Sequence, residues 1–151
     1  MISVFGVTSI FIVMVSVTVI ILHNRIMKRR TPVDIYVAEL EDLIRKRMEM
    51  LYEISIPGTK LHELCTYYID LDFDTILNGL PEITHAYTHA DERYETAPTA
   101  LDENTTTIQQ TTNSLNHAVK DYNDFITKSP TEVMLAKILG LETHPTITTG
   151  L

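Results

Sequence analysis

Residues 2–22 read ISVFGVTSIFIVMVSVTVIIL, a run that opens on Ile2, closes on Leu22 and holds no charged side chain. As a helix rising 1.5 Å per residue it is roughly 31 Å long, which matches a bilayer core of about 30 Å. No polar stripe interrupts the run, so it does not read as the amphipathic helix of a soluble core. A cleaved signal peptide would carry basic residues before a shorter apolar stretch, and small residues at a cleavage site. Only Met1 precedes this run, and HNRIMKRR comes after it. The expectation is a transmembrane anchor over residues 1–23, with everything beyond it a tethered domain.

Arg25, Lys28, Arg29 and Arg30 lie within eight residues of the span. Positive charge beside a span stays on the cytoplasmic side. The expected topology is one crossing of a cell (plasma) membrane, with a short N-terminus outside and the bulk of the chain cytoplasmic. These charges make residues 24–31 a basic juxtamembrane segment, able to attract anionic headgroups at roughly 1 kcal/mol per charge. Beyond Arg30, 8 basic residues face all 20 acidic ones, a net charge of −12. Such a domain lacks the basic face that phosphate binding needs, which excludes nucleic acid as an expected partner. The single cysteine, Cys65, permits no internal disulfide and suits a reducing compartment.

Residues 32–141 read as a helical bundle. Thr31 and Pro32 suit a helix start, and the residue before proline avoids helical geometry, so a break from the anchor helix is expected there. Val33, Val37, Leu40, Ile44, Leu51 and Ile54 then step by threes and fours, up to Pro57-Gly58. Arg47 interrupts that stripe, either snorkelling to the bundle edge or acting as a paired arginine that fixes register. Leu61, Leu64, Tyr68 and Leu71 suggest a second helix, although Ile69 to Asp74 alternates as a strand would. A lone strand has nothing to pair with, so helix is the reading. Asp70, Asp72 and Asp74 imitate a calcium loop, but Thr75 and Pro81 stand where that loop needs Gly and Glu. Asn78-Gly79 reads as a helix stop and Pro81 as the next start.

Tyr87, Tyr94, Leu101, Ile108, Leu115 and Tyr122 recur every seven residues, with Ala90, Ala97, Ala118 and Phe125 supplying a second seam. This is the pattern of one long helix, or two collinear ones, with coiled-coil-like contacts and a kink or boundary at Pro98. Its many threonines make it the softest part of the bundle. Ser129-Pro130-Thr131-Glu132 reads as a capping box with proline at the first helical position, opening a short helix that stops at Gly140. Residues 142–151 carry no pattern and read as a flexible tail. The expected fold is all-α: one N-terminal transmembrane helix, then an antiparallel bundle of three to four helices.

Chemistry-bearing groups are sparse. Asn116 and Asn123 sit seven apart beside the core seam, and with Arg47 they would form a buried polar layer that specifies register. His85, His89 and Glu92 share a helix face with zinc-ligand spacing, but Ala86-Tyr87-Thr88 lacks the glutamate of an HExxH helix. There is no glycine-rich phosphate loop and no nucleophile in a recognisable context. No catalytic residue and no cofactor is expected.

Asn116-His117-Ala118-Val119-Lys120-Asp121-Tyr122-Asn123, then Ser129-Pro130 and Ala136-Lys137-Ile138-Leu139-Gly140, resembles the LemA family, in which YN motifs precede a proline, a short helix and a glycine stop. His23-Asn24-Arg25 looks like the family's YNR, and Arg47-Met48-Glu49-Met50 like its RxDL. Ala90-Asp91-Glu92-Arg93-Tyr94, with Leu101 and Ile108, matches its ANENF and the positions after it, while Tyr52 and Leu115 depart from the pattern. On this resemblance Tyr122, Asn123, Pro130 and Gly140 are motif residues. It implies a membrane anchor and a cytoplasmic antiparallel bundle, and brings no established biochemical activity with it. The expected function is that of a non-enzymatic bacterial membrane scaffold or adaptor, whose acidic bundle binds a membrane-associated protein or itself. The alternative is a metal-binding domain built on His85, His89 and Glu92.

Overall fold

The structure is a computed structural model that describes residues 4–90 and 98–151. It is all-α: five helices, no strand among the described residues, and a long apolar N-terminal helix that leads into bundle-like packing. The helices are α1 (Val4–Ile54), α2 (Lys60–Tyr68), α3 (Phe73–Thr88), α4 (Pro98–Lys128) and α5 (Pro130–Ile138). Among the described residues α1 is the one helix long and apolar enough to cross a membrane.

The chain divides into two compact units, one of residues 1–34 and 117–146, the other of residues 35–116 and 147–151. In the first, the early part of α1 buries Ile26 and Val33, the late part of α4 buries Val119, Tyr122 and Ile126, and α5 buries Leu135 and Ala136. Arg25 meets Glu132 at 3.4 Å, while the Arg29 guanidinium lies 4.4 Å from the centre of the Phe125 ring. Residue numbers thus rise on α1 as they fall on the facing segment, an antiparallel arrangement. The second unit has the same sense. Thr111 Oγ1 donates to Glu39, Asn104 Nδ2 to the Leu43 carbonyl, and Arg47 Nη1 to Thr105 Oγ1, at 3.2, 3.1 and 2.8 Å. Its core joins Leu40, Ile44, Met48 and Leu51 of α1 with Leu101, Ile108 and Leu115 of α4, and adds Leu61, Cys65, Ile76, Leu80 and Ile83 from α2 and α3.

Two punctuation signals are overridden. The break expected at Thr31-Pro32 does not occur, because α1 runs through Pro32 without interruption. Proline there removes one ladder bond, at a cost of about 3 kcal/mol or more. Burial of flanking Ile26 and Val33, worth about 1.5–3 kcal/mol each, offsets it. Thr31 Oγ1 turns back onto the Met27 carbonyl at 2.9 Å instead of capping a new helix. The stop expected at Asn78-Gly79 is likewise absent, and α3 contains both Gly79 and Pro81. Gly79 is there for packing. A Cβ at that position would collide with the ring of Tyr68.

Of the other local signals, some act as read and others do not. Thr59 caps α2 by accepting from the His62 N–H at 3.3 Å. The helix read across 69–74 is instead interrupted by a turn that ends in a helix cap, where Asp72 accepts from the Thr75 N–H at 3.1 Å and from its hydroxyl at 2.6 Å. Those bonds hold the Asp72 carboxyl below its ordinary range. α4 is described from Pro98 onward, and residues 91–97, on which the choice between a kink and a boundary turns, lie outside the described residues. The second seam of α4 is not the expected one: Asn104, Thr111, Thr112, Val119 and Ile126 are buried, while Ala118 and Phe125 are half-buried. Tyr94 and Ala97 lie outside the described residues. The capping box at α5 also fails to close. Ser129 makes no side-chain cap, and Glu132 accepts from Thr131 Oγ1 at 2.6 Å instead. The stop at Gly140 forms through its φ of +63°, with the Leu141 N–H donating to the Ala136 carbonyl at 2.9 Å.

Replacing glycine by alanine inside a helix ordinarily stabilises by roughly 0.5–1 kcal/mol. At position 79 the sign reverses. Gly79→Ala is expected to destabilise by about 1–3 kcal/mol through overpacking against Tyr68, read as a lower denaturant midpoint with unchanged helicity.

Candidate functional site

The polar groups that α4 presents beside its buried stripe form a pattern. Gln109, Asn116 and Asn123 each come directly after a core residue of the heptad, Ile108, Leu115 and Tyr122. Every one of these carboxamides bonds the backbone of the last ten residues. In the first unit, Asn123 Nδ2 donates to the His144 carbonyl and Oδ1 accepts from the His144 N–H, at 2.8 and 2.9 Å. In the second, Asn116 does the same to Ile147, with both bonds at 2.8 Å, and Gln109 Nε2 donates to the Leu151 carbonyl at 3.1 Å. A carboxamide carries a donor and an acceptor in one plane, so a single side chain satisfies both polar groups of one residue. The segment expected to be a patternless tail is thus hydrogen-bonded along its length.

Spacing explains the choice of residues. Seven helical residues advance about 10.5 Å and three extended residues about 10 Å, so asparagines seven apart suit backbone positions three apart. Tyr122, fully buried, stands edge-on to the His144 ring with centroids 5.5 Å apart. Burial pushes the Tyr122 phenol up, with Arg30 opposing and Asp34 reinforcing the shift.

Arg47 is separate from these asparagines. Its side chain is buried, and it donates to Thr105 Oγ1 at 2.8 Å and to the Leu101 carbonyl at 3.4 Å. Among the described residues its Nε has no hydrogen-bond partner. Burial pulls this guanidinium below its ordinary value, while Tyr87 and Asp102 act the other way. Arg47 therefore does not snorkel to solvent, and its bonds tie α1 to α4. The three residues anticipated as one polar layer have different partners: Arg47 bonds α4, and Asn116 and Asn123 bond the final segment.

In the basic stretch that follows the apolar run, Arg25 and Arg29 lie over the Phe125 ring at 5.6 and 4.4 Å. Glu132 is held below the ordinary carboxylate range chiefly by its bond from Thr131, with Arg25 adding to the effect. The imidazoles of His85 and His89 stack with centroids 4.0 Å apart, and His89 Nδ1 lies 3.0 Å from the His85 carbonyl. Glu92, the third member of the zinc reading, lies outside the described residues. No group of three or more His, Cys, Asp or Glu stands together among the described residues in a way that could hold a metal ion. Cys65 is buried and its thiol is pushed up to about 11, which makes it inert at neutral pH. Comparison with protein-family models, curated proteins and solved structures gives no match to this chain.

Both asparagine and arginine contacts can be tested by substitution. Asn123→Asp keeps the shape and the acceptor but sets a carboxylate against the His144 carbonyl, at a cost of about 1–3 kcal/mol. Amide hydrogen exchange at residues 144–147 should rise while that of α4 stays constant. For Arg47, truncating its partner is worse than removing the charge. Thr105→Val should destabilise by about 1–3 kcal/mol, because the buried donor is left with only its long bond to the Leu101 carbonyl, whereas Arg47→Met should be neutral or stabilising. Urea midpoints of the two variants check the order.

Proposed function

We propose that this protein is a single-pass membrane scaffold or adaptor of the LemA type, without enzymatic activity, whose acidic bundle works at the cytoplasmic face of a bacterial plasma membrane. The observation that carries the reading is the first half of α1. Ile10, Phe11 and Met14 are 61, 68 and 64 % exposed, in a stretch with no charged residue. Leaving such side chains in water forfeits about 1.5–3 kcal/mol each, and a bilayer core removes that cost. Arg25, Lys28, Arg29 and Arg30 then favour the cytoplasmic side for the rest of the chain. The net charge of −12 beyond that cluster repels the domain from anionic lipid and leaves its outer faces open to a protein partner.

Photo-cross-linking in the membrane from exposed positions on the bundle, with gentle extraction and mass spectrometry of the products, tests this function. One membrane-associated protein, or the chain itself, recovered in stoichiometric yield is the expected result. Capture that is spread over abundant bystanders and unchanged when the cross-linker is moved around the surface would contradict it.

A further inference from the structure

Within the second unit, the segment 147–151 is seated as a ligand would be. Asn116 reads both backbone groups of Ile147, and Gln109 reads the Leu151 carbonyl. Between these contacts Thr149 is 5 % exposed. Gly150 has a φ of +67°, and a Cβ there would meet Pro81 Cγ at 3.2 Å. Four extended residues reach about 13 Å, more than the roughly 10.5 Å between side chains seven apart on a helix. The left-handed turn at Gly150 takes up the excess. The site therefore selects on three counts: a free N–H at the first position, a buried threonine at the third and a glycine at the fourth.

We propose that this face of α4, with Pro81, is a binding site for an extended peptide, and that its partner in trans is the 147–151 segment of a second copy of the chain. The segment of this chain is the sequence that meets all three requirements, so exchange between copies replaces every contact with its equal. Copies anchored in one membrane would supply the local concentration. This deepens the scaffold reading by naming the partner as self. The two fail separately, because peptide binding is measured in detergent and needs no correct topology.

The test uses the full chain in micelles and a fluorescein-labelled peptide, ETHPTITTGL, equal to residues 142–151. Ile147→Pro removes the N–H that donates to Asn116 and opens the site. In the intact chain the tethered segment competes at an effective concentration near millimolar, so the variant should bind the probe at least about tenfold more tightly than wild type. Adding Asn116→Ala to Ile147→Pro should abolish that gain. A probe with valine in place of Gly150 should not bind. Equal binding by wild type and Ile147→Pro, binding that survives Asn116→Ala, or equal binding of the valine probe would overturn the proposal. A second measurement needs no opened variant. Two differently tagged wild-type chains, one with a benzophenone amino acid in place of Leu151, are mixed and irradiated. Cross-links between the tags are expected, and cross-links confined within single chains would overturn exchange.

Discussion

The structure depends on one constraint: α4 must hide a row of side chains that returns every seven residues. Leu101, Ile108, Leu115 and Tyr122 are at most 2 % exposed. Burying each is worth about 1.5–3 kcal/mol, which sets where every facing element lies. In each unit the neighbouring stretch of α1 runs antiparallel and supplies its own row, Ile26 and Val33 in one, Leu40, Ile44 and Leu51 in the other. Several polar groups beside these rows are turned to partners. Asn104 reaches a backbone carbonyl of α1, and Thr105, Thr106 and Thr107 return their hydroxyls to carbonyls one turn back. Threonine is a mediocre helix former, yet α4 holds seven of them, its apolar row outweighing their low propensity.

The same constraint decides which local signals win. Periodicity was legible in the residues, so the stripes of α1 and α4 and the all-α class could be read without coordinates. Punctuation was less reliable, because proline and glycine have two meanings. At Pro32 the buried residues on either side outweigh one missing hydrogen bond. At Gly79 the absent side chain serves the Tyr68 ring of a neighbouring helix, and no rule based on adjacent residues contains that ring. Asp72 is the converse. Its cap with Thr75 is wholly local, and the D-x-x-T spacing held the information that alternation obscured.

The candidate site divides in a similar way. Asn116 and Asn123 stood out because they are polar beside an apolar seam, but their partner did not, since an extended segment bonded by side chains has no periodicity of its own. Gln109 was missed, although it completes the same seven-residue step. The available signal was a carboxamide directly after Ile108, Leu115 and Tyr122, matched by a run of β-branched residues near the end of the chain. Arg47 was legible as an anomaly, and its partner Thr105 was not, because fifty-eight residues separate the two.

Together these parts make a helical body led by a helix whose charge-free first stretch is long and apolar enough to cross a membrane, with carboxamides of α4 holding the final segment. On the proposed function that stretch is the attachment and the basic residues after it set the orientation. The central claim is the placement of that body, and one labelling experiment addresses it. Thr143→Cys puts an exposed thiol in the final segment, against a background in which Cys65 is buried and protonated. A membrane-impermeant maleimide applied to intact cells should leave the variant unlabelled and should label it fully once the membrane is opened. Full labelling in intact cells, or recovery of the protein in the soluble fraction, would contradict a membrane-anchored, cytoplasmic bundle.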